Sequence, residues 1–422
     1  MMIDLPRKRI VTISSGKGGV GKTTFAINYA LTLSRFAPTV LVDLDTGTSS
    51  IRNVIDLDVK YDIYHFLRRN RPMHECLTPF PEKWDPDGNY RNLGIVAGPT
   101  HYIDDIANLT AHNKDKIIDG VNNLPAKFIV LDMKAGVDPN VIDFLPFSNT
   151  GVLVFTPHLP AATMAASDIV KAILFRKLRV IFSLESPFYE YVGHRRRNFE
   201  LINQLINEVE DSYDDRLPNL EAFLVDLRNA FGEHPIVERV QNALEYFNVY
   251  YVLNQFNGVK ESYDNAVRPF VGNIFDNVSE RLNVINLGWV MASPEVHKAN
   301  CSRIPALLYE TIQKKKKVNP IEKELGHLAN VYLGLKTEKT LRKKIPSSYS
   351  RSDPSDILGQ QIELMNRMHE DMEGKNYKDN FLYCAYRTLH LMNSRRVQDF
   401  GDVKVFRPEE ILHAIFNSAR PS

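Results

Sequence analysis

Near the start of the chain, Gly16-Lys17-Gly18-Gly19-Val20-Gly21-Lys22 packs four glycines and two lysines into seven residues, and Thr23 and Thr24 follow at once. Gly16, four intervening residues and then Gly21-Lys22-Thr23 satisfy the G-x-x-x-x-G-K-[ST] spacing of a phosphate-binding loop. Glycines let backbone N–H groups turn inward on phosphate oxygens. In such a loop Lys22 reaches the β- and γ-phosphates, and the Thr23 hydroxyl ligates Mg²⁺. Three further acids stand at the ends of apolar runs: Asp43 and Asp45 after Thr39–Val42, and Asp132 after Phe128–Leu131. Open α/β sheets bind ligands beyond the C-terminal ends of their parallel strands, which is where acids so placed would lie.

Lys17 is surplus to this chemistry, because Lys22 already serves the loop's own nucleotide. The run Gly-Lys-Gly-Gly-Val-Gly-Lys-Thr at 16–23 resembles the deviant Walker A motif of the MinD/ParA ATPases. That resemblance implies an ATP- and Mg²⁺-dependent switch. Lys17 would contact the nucleotide of a partner subunit in a face-to-face homodimer, with Gly16 to Thr24 holding the phosphates. Asp45 would position the attacking water, Asp43 would support Mg²⁺ through its waters, and Asp132 would be the Walker B acid. Asn254, at the end of a late strand, would read adenine, and backbone after Pro294 would pass near the base. Asp132-Met133-Lys134-Ala135-Gly136 and Leu93 to Gly98 resemble the FlhG/FleN branch, the flagellar-number regulators, although Lys134 replaces a glycine of that pattern. The resemblance covers roughly residues 8–310.

The elements around these residues have to hold them at one edge of a sheet. Ile10–Ile13, Thr39–Asp43, Leu93–Gly98, Phe128–Asp132, Gly151–Pro157, Val249–Asn254 and Ile285–Val290 are short apolar runs of the kind buried in parallel sheets. Helical patterns alternate with them: Phe25 to Leu33, Asp104 to Asn122 and Ala161 to Phe175. The expected fold is a mostly parallel P-loop NTPase sheet covered by helices on both faces. A helical insertion is expected at about 180–247, with apolar faces at Leu201, Ile202, Leu205, Ile206 and Val209, and at Leu220, Phe223, Leu224, Leu227 and Phe231. Thr163 and Asp168 read as surface or capping residues.

Beyond the ATPase-like region, 1–310, a basic segment and linker cover 311–350, and 351–422 reads as a helical C-terminal extension. The basic stretch is a candidate contact for DNA or anionic lipid. The last helical pattern, from Pro408, has acids on its polar face. A membrane-surface helix carries lysine and arginine there, so the pattern reads as a docked helix.

The whole chain of 422 residues is near neutral, with 52 basic against 51 acidic residues, which argues against a globally basic nucleic-acid binder. Three dispersed cysteines, Cys76, Cys301 and Cys384, fit a reducing cytoplasm and cannot supply the paired ligands of an iron–sulfur relative. The first strand begins too early for a signal peptide, and no apolar run approaches a membrane span. The expected setting is therefore cytoplasmic, with peripheral contact at the inner face of a membrane as an option. Expected partners are a second copy on ATP binding, a protein activator or cargo adaptor, and a membrane or nonspecific DNA surface. Two other readings compete with the positioning switch: a nucleotide-binding adaptor with little hydrolysis, and a ParA-type DNA-partitioning ATPase.

Overall fold

The computed structural model describes residues 8–47, 49–146, 148–211, 218–314, 354–372, 375–393 and 400–417. Its centre is one eight-stranded sheet: β1 (Arg9–Ser14), β2 (Thr39–Leu44), β3 (Thr78–Pro79), β4 (Leu93–Val96), β5 (Phe128–Met133), β6 (Asn149–Phe155), β7 (Asn248–Phe256) and β8 (Asn283–Met291). The order across the sheet is β3-β4-β2-β5-β1-β6-β7-β8. Every pairing is parallel except the short β3–β4 contact. Every residue of β2, β5 and β6 is buried. Successive side chains on a strand leave opposite faces, so helices cover both sides of the sheet. β1 lies between β5 and β6, which the chain visits consecutively. The strand order therefore reverses beside β1, and the crevice of a doubly wound sheet opens at such a point.

Thirteen residues, Lys22–Ser34, form the helix after β1, and all but Thr23 are buried. The helix is therefore packed all round. The pattern expected from Asp104 to Asn122 splits into Asp104–Ala107 and Ala111–Asn122, because the Thr110 hydroxyl accepts the Asn113 N–H and starts a new helix. Thr163, expected at the surface, is buried inside the helix Pro160–Ile181.

Between that helix and β7 stand four helices: Phe188–Val192, Arg195–Glu210, Leu220–Phe231 and Pro235–Glu245. Ile202, Ile206, Val209, Leu220, Phe223 and Leu227 are buried in the same hydrophobic cluster as the sheet, whereas Leu201 points to solvent.

The last described helices, Pro354–Met372, Tyr377–Asn393 and Pro408–Asn417, pack on the sheet and its helices. Tyr377–Asn393 lies on both β8 and the helix Lys22–Ser34, with the Phe25 and Phe381 ring centroids 6.3 Å apart. A Cβ placed on Gly288 of β8 would come within 2.7 Å of the Cys384 sulfur. Asn380 Oδ1 accepts the Met291 N–H at 3.0 Å, and Gln361 Nε2 donates to the Val284 carbonyl at 2.7 Å, so these helices also satisfy polar groups of the edge strand β8.

Further along the chain Asp402 reaches β1, where Ile10 N donates to its carbonyl at 2.8 Å. Nearby, Lys177 is buried, donates to the Ala243 carbonyl at 3.4 Å and feels the Asp402 carboxylate. Burial pushes its ammonium pKa down to about 8. Ile411 is buried, and Ile415 and Phe416 pack on the core, so the apolar side of the last helix is used inside the molecule. Residues 315–353, with nearly all of the basic stretch and the linker, lie outside the described residues. Among the described residues no helix is long and apolar enough to cross a membrane.

Candidate nucleotide site

From the end of β1 the chain turns through Ser15–Gly21 into the helix Lys22–Ser34. Gly19 and Gly21 both have φ of 83°, a left-handed conformation that favours glycine. Gly16 is required for space: a Cβ there would lie 2.2 Å from the backbone carbonyl carbon of Ala165. Lys17, Gly18 and Gly19 are exposed, whereas Val20 is buried.

The two lysines of the loop have opposite settings. Lys22 is 7 % exposed and its Nζ sits 2.5 Å from Oδ1 of the fully buried Asp132. The pairing between β2 and β5 sets Asp43 opposite Asp132. Ser50 joins the cluster: its hydroxyl lies 3.1 Å from Asp132 Oδ2, 3.4 Å from Asp43 Oδ1, and accepts from the Thr23 hydroxyl at 3.1 Å. Asp43 also accepts from the Ser49 hydroxyl at 2.8 Å and from the backbone N–H groups of Asp45 and Ile51. Burial and the neighbouring Asp132 carboxylate push the Asp43 pKa up to about 7, against the pull of these donors. Burial also raises Asp45, which the Lys22 ammonium partly offsets.

Ser49 and Ser50 are the site residues that sequence reasoning missed. Their one signal was a run of hydroxyls, Thr48-Ser49-Ser50, shortly after the strand-end acids. The stretch after β5 is tied to the loop as well, since Gly136 N donates to the Ser15 carbonyl at 2.8 Å.

Asn254, at the end of β7, lies against the loop. Its Nδ2 donates to the Val20 carbonyl at 2.7 Å, and a Cβ on Gly21 would come within 2.2 Å of that nitrogen. Thr24 turns toward Asn300, whose amide Nδ2 lies 3.1 Å from its hydroxyl. Asn300 belongs to the helix Pro294–Cys301, which Pro294 begins and Ser293 caps. Pro294 is linked to the loop through this helix, by way of Asn300.

A threonine hydroxyl beside two carboxylates is a hard oxygen set that suits Mg²⁺ completed by phosphate and water. Among the described residues no group of three His, Cys, Asp or Glu side chains could cage an ion without such help.

A family model described as the CobQ/CobB/MinD/ParA nucleotide binding domain matches residues 11–376. The chain belongs to this family. Among curated relatives, the septum site-determining protein MinD of Escherichia coli K12 is 28 % identical over 193 residues, which cover 45 % of this chain and 67 % of that protein. MinD of Buchnera aphidicola is 26 % identical over the same shares. Among solved structures, MinD of Pyrococcus horikoshii complexed with Mg-ADP is 14 % identical, with 74 % of this chain and 90 % of that one covered at a TM-score of 0.40. Both of these relatives are septum-site proteins, and neither bears on the FlhG/FleN branch. In this chain the loop, the acids that end β2 and β5, and Asn254 lie together around the start of the Lys22–Ser34 helix.

Proposed function

We propose that the chain is an Mg²⁺-dependent ATPase that works as a dimerising molecular switch. The observation that carries this reading is the contrast between its two loop lysines. Lys22 is buried on Asp132, ready to exchange that partner for phosphates, while Lys17 stands exposed beside it, free to reach a second molecule. The loop N–H groups and Lys22 bind the phosphates. Thr23, Asp43 and Asp132 hold the metal, which supplies Lewis-acid neutralisation of phosphate charge. Asp45 orients water toward the terminal phosphate. Asn254 presents its amide oxygen to the adenine amino group, with backbone after Pro294 beside the base.

A switch of this kind acts through the population of its dimer rather than through product. The curated MinD relatives are septum-site determinants, and a role in positioning a cellular structure extends that theme. The flagellar apparatus is one such structure, and its support is confined to the wording around Asp132 and Gly94–Gly98. Surface attachment through the last helix is disfavoured because its apolar side is packed.

Mass in solution with ADP and with ATP tests the proposal. Wild type should double its mass with ATP alone and return to monomer as phosphate is released. Lys17→Ala should stay monomeric while still binding ATP. A mass indifferent to nucleotide and to Lys17 overturns the switch.

A further inference from the structure

Lys134 has no part in the switch as described above, yet the fold aims it at the same site. β2 and β5 run parallel with Asp43 opposite Asp132 and Leu44 opposite Met133. Asp45 and Lys134 follow directly on the ends of these two strands. Lys134 comes two residues after Asp132, the partner of Lys22. Its positive field reaches Asp45. Two residues later Gly136 is tied to Ser15 at the start of the phosphate loop, which fixes the backbone carrying Lys134.

The ammonium, in contrast, is loosely held. Its ion pair with Asp138 spans 3.4 Å, and the two side chains are 42 % and 36 % exposed. Such exposed pairs are weak. Asp138 has separate work for its other oxygen: Oδ1 accepts the N–H groups of Asn140 and Val141 and caps the helix Pro139–Ile142. The helix start therefore survives if Lys134 leaves.

Resting on the nucleotide-binding reading, we propose that Lys134 is a third lysine of the nucleotide site, a cation that swings from Asp138 to the γ-phosphate. It lets the site tell a triphosphate from a diphosphate. Lys22 serves the β- and γ-phosphates together, so it discriminates less between the two nucleotides.

Binding of a non-hydrolysable ATP analogue and of ADP to the full chain, followed by calorimetry, tests this. Lys134→Ala should weaken the analogue about tenfold and leave ADP within about twofold, the loss expected for one charge-assisted hydrogen bond. Lys134→Arg should restore the preference. Asp138→Asn, which keeps the cap and releases the lysine, should not weaken the analogue. An unchanged analogue-to-ADP ratio in Lys134→Ala overturns the proposal, as does an Asp138→Asn variant that behaves like Lys134→Ala, since that is the mark of a merely structural ion pair. Wild type that binds both nucleotides while the ratio stays fixed removes only the Lys134 assignment. Wild type that binds neither removes the nucleotide reading and this proposal with it.

Discussion

Replacing Asn254 with alanine separates two jobs open to the end of β7. Its amide donates to the Val20 carbonyl at 2.7 Å and so braces the glycine-rich loop. A neutral hydrogen bond of this kind contributes about 1 kcal/mol, or about fivefold in an equilibrium constant. If the bond holds the loop in its binding shape, that loss falls on every ligand that uses the loop. Affinity for inorganic tripolyphosphate, which has no base, should then drop about fivefold, and affinity for ATP by at least as much. An amide that only reads adenine would leave tripolyphosphate untouched.

Gly21→Ala supplies the cross-check, because its Cβ would come within 2.2 Å of the Asn254 nitrogen and displace it. Alanine at φ 83° adds its own strain of about 1–2 kcal/mol. In that background Asn254→Ala should cost tripolyphosphate binding little more, a coupling that calorimetry on the four proteins would read. Tripolyphosphate affinity unchanged in Asn254→Ala would refute the bracing role.

Two further outcomes concern the parts that back the site. Gly288→Ala must adopt φ 135° and meet the Cys384 sulfur at 2.7 Å, so denaturant unfolding should show a loss of about 2–4 kcal/mol. Adding Cys384→Ala should recover the steric share alone, and full recovery would show that the backbone strain is absent. Lys177 has a folded pKa of about 8 against 10.5, so the folded chain binds fewer protons than the unfolded chain between those values, and stability rises with pH across that window. Below pH 8 the ammonium is charged in the folded chain despite its burial, and the Asp402 carboxylate offsets part of that cost. Lys177→Met should therefore gain stability at pH 7 and lose that gain above pH 10, and a variant less stable at pH 7 than wild type would contradict it.

The local chemistry was legible because it is written in consecutive residues. The loop at 16–23, the acids that end β2 and β5, and the apolar runs of the sheet each need only a short stretch to announce themselves. The misses involve partners distant in sequence. The Thr23–Ser50–Asp132 bridge joins the start of a helix, a bend and a strand. The Asn254–Val20 bond joins residues 234 positions apart in sequence. The stretch 351–422 read only as a helical extension, with no sign that Phe381 and Cys384 belonged on the loop-bearing helix and β8. Leu201 fitted a helical stripe but fell at its edge, where solvent begins.

The hydrogen bond from Ile10 to Asp402 makes an early strand depend on a segment synthesised long after it. During translation the amino-terminal strands emerge long before the segment that caps them. The flank of the Lys22–Ser34 helix that takes Phe381, and the edge of β8, stay bare until the late helices arrive. Contacts of such sequence separation slow folding and lengthen the time that apolar surface is exposed. The loop is thus born early but braced late, and a nascent chain stalled after the family motifs would carry the phosphate-binding residues on a helix still missing its support.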